Sequence, residues 1–188
     1  MKPYSGYQAK KSGNGPREIL PAGGYVAKII SARVDETRFG DRLVVAFDIA
    51  EGDYRDFFKR DYDSNPVEDK RWRGVYRANV PTEDGSERDD WNKRTMNNVA
   101  ACFEESNNGY TWDWDESKLK GLIVGVLFRN REWEVNGRTG WTTECCALTD
   151  AQSIRDGKFK TPKDRPLANH SSAPAVPAEE EDSGELPF

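Results

Sequence analysis

The dipeptide Asn136-Gly137 sits between two long runs of strand-forming residues, Leu122 to Val135 and Arg138 to Leu148. Asn-Gly favours the type I′ turn, whose two positive φ angles match the twist of the strands it joins. A two-residue turn also sets the register. Val135 then faces Arg138, Trp133 faces Gly140 and Arg131 faces Thr142. One face near the tip carries Arg129, Arg131, Trp133 and Arg138, and the other carries Phe128, Trp141, Thr143 and Cys145. A chain with such a hairpin is committed to a sheet. The remaining elements must extend or cover it.

Gly23-Gly24 opens a run from Tyr25 to Val34 in which Val26, Ile30, Ala32 and Val34 share one parity. Alternation of this kind marks a half-buried strand. Leu43, Val45, Phe47 and Ile49 share a face in the next run, and the Gly-containing connection between the runs suggests a second hairpin. Gly52 ends it. Tyr54 to Tyr62, which mixes aromatics with charge, reads as a third strand. Residues 63–88, with Pro66, Pro81 and Gly85, read as irregular.

Asp89 to Ser106 reads as a helix, because Met96, Val99, Ala100 and Phe103 fall at i, i+3, i+4 and i+7. Asp89 and Asp90 suit its N-terminal end. Asn107-Asn108-Gly109 is a stop signal. Asp115 to Lys120 reads as one more helical turn and Asp150 to Gly157 as a short terminal helix. Five strands with the main helix between the third and fourth give a mainly β fold. The expectation is a five-stranded OB-fold barrel (oligonucleotide/oligosaccharide-binding).

Ile, Leu, Val and Phe make up only 34 of 188 residues. So low a share raises the question of disorder. The net charge of −5 is too small to favour it, and 6 Trp and 7 Tyr add apolar mass. The five acids Glu179, Glu180, Glu181, Asp182 and Glu185 equal that net charge, and no Lys or Arg follows Arg165, so the rest of the chain is balanced. The Ala/Pro/Ser-rich stretch before those acids buries too little apolar area to offset ordering entropy. The expected organisation is a flexible basic arm at 1–18, an OB-type domain at 19–164 and a disordered acidic tail at 165–188. No apolar run is long enough to cross a membrane, and Met1 to Gly15 lacks the apolar core of a signal peptide. Three cysteines, Cys102, Cys145 and Cys146, make no even disulfide framework. A reduced, cytoplasmic setting is expected, and the sequon Asn169-His170-Ser171 reads as chance.

Most catalytic chemistries lack their residues. His170 is the single histidine and falls in the tail, so no Ser/His/Asp or Cys/His arrangement forms in the domain. There is no phosphate-binding G-x-x-x-x-G-K-[ST] loop and no C-x-x-C. No cofactor or metal site is expected. Asp113, Asp115 and Glu116 are the one acidic group that a Mg²⁺-dependent nuclease would need, and a polar loop capping the turn after them accounts for them more simply.

Lys70 to Arg77 alternates cations with rings, through Arg71, Trp72, Arg73, Tyr76 and Arg77. Single-strand binders need this pairing, because cations neutralise phosphates and aromatic faces stack on bases of any sequence. The hairpin face repeats it with Arg129, Arg131, Trp133 and Arg138. Lys59 and Arg60 add cations in the third run. The candidate DNA-binding residues are Lys59, Arg60, Arg71, Trp72, Arg73, Arg77, Arg129, Arg131, Trp133 and Arg138. Because the chain before the tail is balanced, the basic groove must be local and its affinity salt-sensitive.

The ending Glu179-Glu180-Glu181-Asp182-Ser183-Gly184-Glu185-Leu186-Pro187-Phe188 resembles the tip of bacterial single-stranded DNA-binding proteins. The resemblance implies that Asp182, Glu185, Leu186, Pro187 and Phe188 dock on replication, recombination and repair proteins. Phe188 would fill an apolar pocket while a basic residue takes the carboxylate. The segments Leu20-Pro21-Ala22-Gly23-Gly24-Tyr25, Asp48-Ile49-Ala50-Glu51-Gly52, Glu105 to Asp115 and Leu119-Lys120-Gly121 resemble OB-fold single-stranded DNA-binding proteins of phages and mobile elements. That resemblance spans about residues 19–160. It implies a non-enzymatic role in phage-like replication or recombination within a bacterial host cell. The rival readings are a recombination accessory that anneals strands or loads a recombinase, and the nuclease.

Overall fold

A computed structural model describes residues 18–168. The expected arm up to Arg17, the sequon, and the tail beyond Ala168 with Asp182, Glu185, Leu186, Pro187 and Phe188 lie outside the described residues. Five strands, β1 (Gly23–Asp35), β2 (Arg42–Ile49), β3 (Val75–Asn79), β4 (Ile123–Val135) and β5 (Arg138–Thr149), form one sheet in the order β3-β2-β1-β4-β5. Every pairing is antiparallel, so the edge strands β3 and β5 run parallel to one another. Helices α1 (Phe57–Ser64), α2 (Glu87–Ser106) and α3 (Ala151–Arg155) accompany the sheet, with a 3-10 turn at Glu116–Leu119. Among the described residues no helix is long and apolar enough to cross a membrane.

The β4–β5 hairpin has the register its turn demands: Val135 pairs with Arg138, Trp133 with Gly140 and Arg131 with Thr142. Asn136 and Gly137 both adopt positive φ, at 52° and 72°. On β2, Leu43, Val45, Phe47 and Ile49 are all buried as their shared parity requires.

On β1 the parity reading needs correcting. A bulge interrupts the pairing between Ile29 and Ser31 and leaves Ile30 unpaired and exposed. The extra residue shifts the face in register. Ala27 and Ile29 therefore point to the core before the bulge, and Ala32 packs against it after the bulge.

The third strand is also corrected. Tyr54 to Tyr62 does not extend the sheet; its second half is the start of α1. The Asp48 carboxylate accepts hydrogen bonds from the backbone N–H groups of Phe58 (2.9 Å) and Lys59 (3.0 Å) and holds the first turn. Burial raises the pKa of Asp48, and those N–H bonds offset part of the rise. Phe57 and Phe58 are neighbours that are both buried and touch edge to face at 5.2 Å; a strand would send them to opposite faces, whereas a helix lets both turn toward one core. The third strand lies instead at Val75–Asn79, inside the span read as irregular. Tyr76 and Ala78 face the core there and Arg77 faces out. Gly74 leads into it, its carbonyl accepting from the Phe47 N–H at 2.8 Å. A Cβ on Gly74 would lie 2.3 Å from the Phe47 carbonyl oxygen and 2.5 Å from the Phe58 ring. Only glycine lets the chain cross here.

The core joins the inner sheet face to α1 and α2. Phe47, Phe58 and Phe128 meet in mutual ring contacts with centroids 5.8 to 6.2 Å apart. Met96, Val99 and Phe103 seat α2, as the helical spacing requires. The helix begins two residues earlier than expected, because the Ser86 hydroxyl accepts from the Asp89 N–H. Its end is secured by Asn107, whose side chain donates to the Phe103 and Ile123 carbonyls and accepts from the Ile123 N–H.

The sheet curls until β3 and β5 approach, but they share no ladder. The closed barrel expected from the sequence is therefore an open sheet with a seam. β3 has only five residues, and the side chains of Arg77, Arg131 and Glu144 line the gap over Leu20, Phe57, Phe58 and Phe128. A second feature was unforeseen. Beyond Gly23, where β1 stops, Arg165 pairs with the free edge of β4: its N–H donates to Asn130 (2.8 Å) and its carbonyl accepts from Glu132 (2.9 Å). The Leu167 N–H donates to the Glu132 carboxylate. Backbone pairing thus continues past residue 164, the boundary that composition suggests.

Candidate functional site

The seam opens into a cleft of about 310 Å³. Arg73 and Arg77 come to it from the approach to β3 and from β3 itself, and Arg131 comes from β4. The two basic clusters, more than fifty residues apart in sequence, are thus brought together. These arginines and Glu144 line the cleft together with the buried side chains of Leu20, Phe57, Phe58 and Phe128. Arg77 is exposed and makes no ion pair among the described residues. Arg73 is bonded to Asp61 at 3.4 Å.

Glu144 sits among three arginines. Arg129 donates to its Oε1 through Nε (2.9 Å) and Nη2 (2.7 Å), Arg131 to Oε2 (3.3 Å), and Arg165 lies 3.5 Å away. Burial pushes the Glu144 carboxyl upward, yet the bonds and charge of Arg129 and Arg131 outweigh it and leave its pKa lowered. Three cations against one anion leave this patch of the outer sheet face positive. Cross-strand pairing of Arg129 with Glu144 produces the contact. The same turn register that places Trp133 against Gly140 implies it, so this residue was legible.

The other candidates scatter. Lys59 is tied to Asp63 at 2.5 Å, and Arg60 is exposed on α1. Arg71 is exposed before β3, and Arg138 is exposed at the hairpin tip. Trp72 is half-buried against the core. Its Nε1 donates to the Phe47 carbonyl at 2.9 Å and its ring leans on Tyr62. It acts as a clamp on β2. Trp133 is half-buried and crosses its partner Gly140, where a Cβ would come within 2.7 Å of the indole.

Residues the sequence reading passed over lie beside this surface. In the β1–β2 turn the Arg38 guanidinium sits 4.5 Å above the ring of Phe39, which is 63% exposed. Arg42 and Asn79, paired across β2 and β3, face outward with Arg77. A cation beside a ring inside a turn was the signal for the first pair. The second requires the corrected third strand.

Two of the three acids weighed for a nuclease are engaged with neighbours. Asp113 is bonded to Lys118, and Asp115 caps the 3-10 turn through Ser117. Among the described residues no three His, Cys, Asp or Glu side chains are grouped to hold a metal ion. No family model matches the chain, and no curated protein matches it.

Proposed function

We propose that this protein binds single-stranded DNA with little sequence preference, as an OB-type domain open at its β3–β5 seam. The observation that carries the reading is the meeting of Arg73, Arg77 and Arg131 over one apolar-floored cleft. The strand order, with the main helix between β3 and β4, agrees with the five-stranded, partly open OB arrangement. In that fold oligonucleotides lie on the face of strands 2 and 3, between the loop joining strands 1 and 2 and the loop joining 4 and 5. Here Arg42 and Arg77 lie on strands 2 and 3, with Arg38 and Phe39 in the first loop and Arg138 opening β5 beside the second. Cations would hold phosphates and rings would stack on bases.

The protein acts, on this reading, in phage-like or mobile-element replication or recombination in a bacterial cytoplasm. Its ending Leu186-Pro187-Phe188 recruits replication, recombination or repair proteins. It carries no catalytic chemistry of its own. Titration of labelled single- and double-stranded oligonucleotides at two salt concentrations tests this. Preference for the single strand, weakening as salt rises, is expected. Equal binding of both forms, or cleavage of the strand when Mg²⁺ is added, would overturn it. A pull-down with parent and Phe188→Ala protein tests the tail; identical partner sets would leave it no recruiting role.

A further inference from the structure

A second cleft, of about 440 Å³, runs along the same seam between β3, β5 and α2. Its floor is apolar, with Tyr76, Val99 and Leu148, and its rim carries Arg42, Arg77 and Trp91. Arg77 lines both clefts, so the two adjoin at that residue. Trp91 lies in the second turn of α2 and is 60% exposed. It has no ring partner among the described residues and no place in the core cluster. Arg88 and Arg94 flank it at i−3 and i+3, which puts them beside it on the helix surface. Both are exposed, and neither makes an ion pair among the described residues. A large bare indole next to unpaired guanidiniums has little structural purpose, and stacking on a base is the chemistry it suits.

We propose that Trp91 is a nucleobase-stacking platform for the stretch of strand that passes from the first cleft over Arg77. Arg42 and Arg77 would take the flanking phosphates. The inference rests on the single-strand reading above and extends its path from the sheet face onto α2.

Anisotropy titrations of a labelled oligothymidylate of about 20 nucleotides, longer than a typical single-domain site, test it. The proteins are the full-length parent, Trp91→Ala, Trp91→Phe and Arg131→Ala. Trp91→Ala should lose about five- to 150-fold in affinity, the range of one lost stack, and Trp91→Phe should stay within about threefold of the parent. A strand bearing 5-iodouracil should cross-link to Trp91 on irradiation. Circular dichroism should show all variants folded, since Trp91 is exposed. If Trp91→Ala binds like the parent while Arg131→Ala is weakened, the platform falls and the first cleft stands. Equal losses in Trp91→Ala and Trp91→Phe would also overturn it, because a ring would then not be what matters. A parent that binds no single strand would overturn both readings together.

Discussion

Glu144→Gln separates electrostatic steering from structural support, because one carboxylate opposes phosphate and also holds the arginines that would bind it. The substitution keeps the side chain's size and one carbonyl acceptor but removes the charge. A phosphate about 5 Å from Glu144 is repelled by about 0.8 kcal/mol in water, less once salt screens it. Removing that repulsion should tighten single-strand binding about two- to fourfold at low salt. The freed Arg129, Arg131 and Arg165 also become available to phosphates. Each new contact should steepen the dependence of log K on log salt by about 0.7.

The cost falls on stability. Arg129 is only 29% exposed and donates twice to Glu144, so loss of the charged acceptor should destabilise the domain by about 1–2 kcal/mol. For a chain of this size that is a fall of about 2–8 °C in melting temperature. Anisotropy from low to moderate salt, with thermal denaturation of the same samples, reads both effects. Tighter binding, a steeper slope and a lower melting temperature together are expected. Weaker binding with an unchanged slope would refute the reasoning, because Glu144 would then be positioning the arginines and not competing with phosphate. The parent should show the corresponding pH dependence. The lowered Glu144 pKa contributes stability that is present above the ordinary carboxylate range and is lost as pH falls through the folded value.

Arg77→Ala should weaken single-strand binding and flatten the salt slope by about 0.7, whereas Lys59→Ala should change neither, since Asp63 already neutralises that ammonium; equal effects in titration would deny Arg77 its special place. Asp48→Ala removes the acceptor for Phe58 and Lys59 and should cost about 1–2 kcal/mol, as lost helix caps do, measured by denaturant unfolding. Gly74→Ala forces a Cβ toward the Phe47 carbonyl and should cost about 1–3 kcal/mol; an unchanged unfolding midpoint would mean that β3 can move away freely. Trp72→Phe loses the hydrogen bond to Phe47 and should lower stability by about 1 kcal/mol while leaving DNA affinity nearly intact, read by melting and anisotropy in parallel.

Elements whose causes are local were legible. The β4–β5 register follows from two turn residues, and α2 follows from its own apolar spacing. Elements fixed from a distance were not. α1 depends on Asp48, ten residues upstream of Phe58, so the aromatic-rich stretch 54–62 resembles a strand when read alone. The bulge at Ile30 shows only when β1 is laid against β2. β3 alternates correctly but is five residues long, too short for its period to stand out from the cations before it. For the candidate site, both basic clusters could be found by composition, but their convergence on one cleft is a property of sheet curvature. Trp91 was hidden because nothing along α2 says that its polar side faces β3 and β5.

The pairing of Arg165 with β4 bears on how this domain should be handled. From Asn130 outward, β4 has lost its neighbour β1, and its backbone would stand as an unprotected sheet edge. Such edges recruit strands from other molecules. The segment from Asp164 to Leu167 covers this one, through bonds to Asn130 and Glu132. A shortened protein that ends before Asp164 keeps every strand and helix and still uncovers an adhesive border beside the arginines. Self-association of that version could be mistaken for a natural oligomer. A truncation placed after Leu167 retains the cover, and only that version gives a fair measure of the domain's own assembly state.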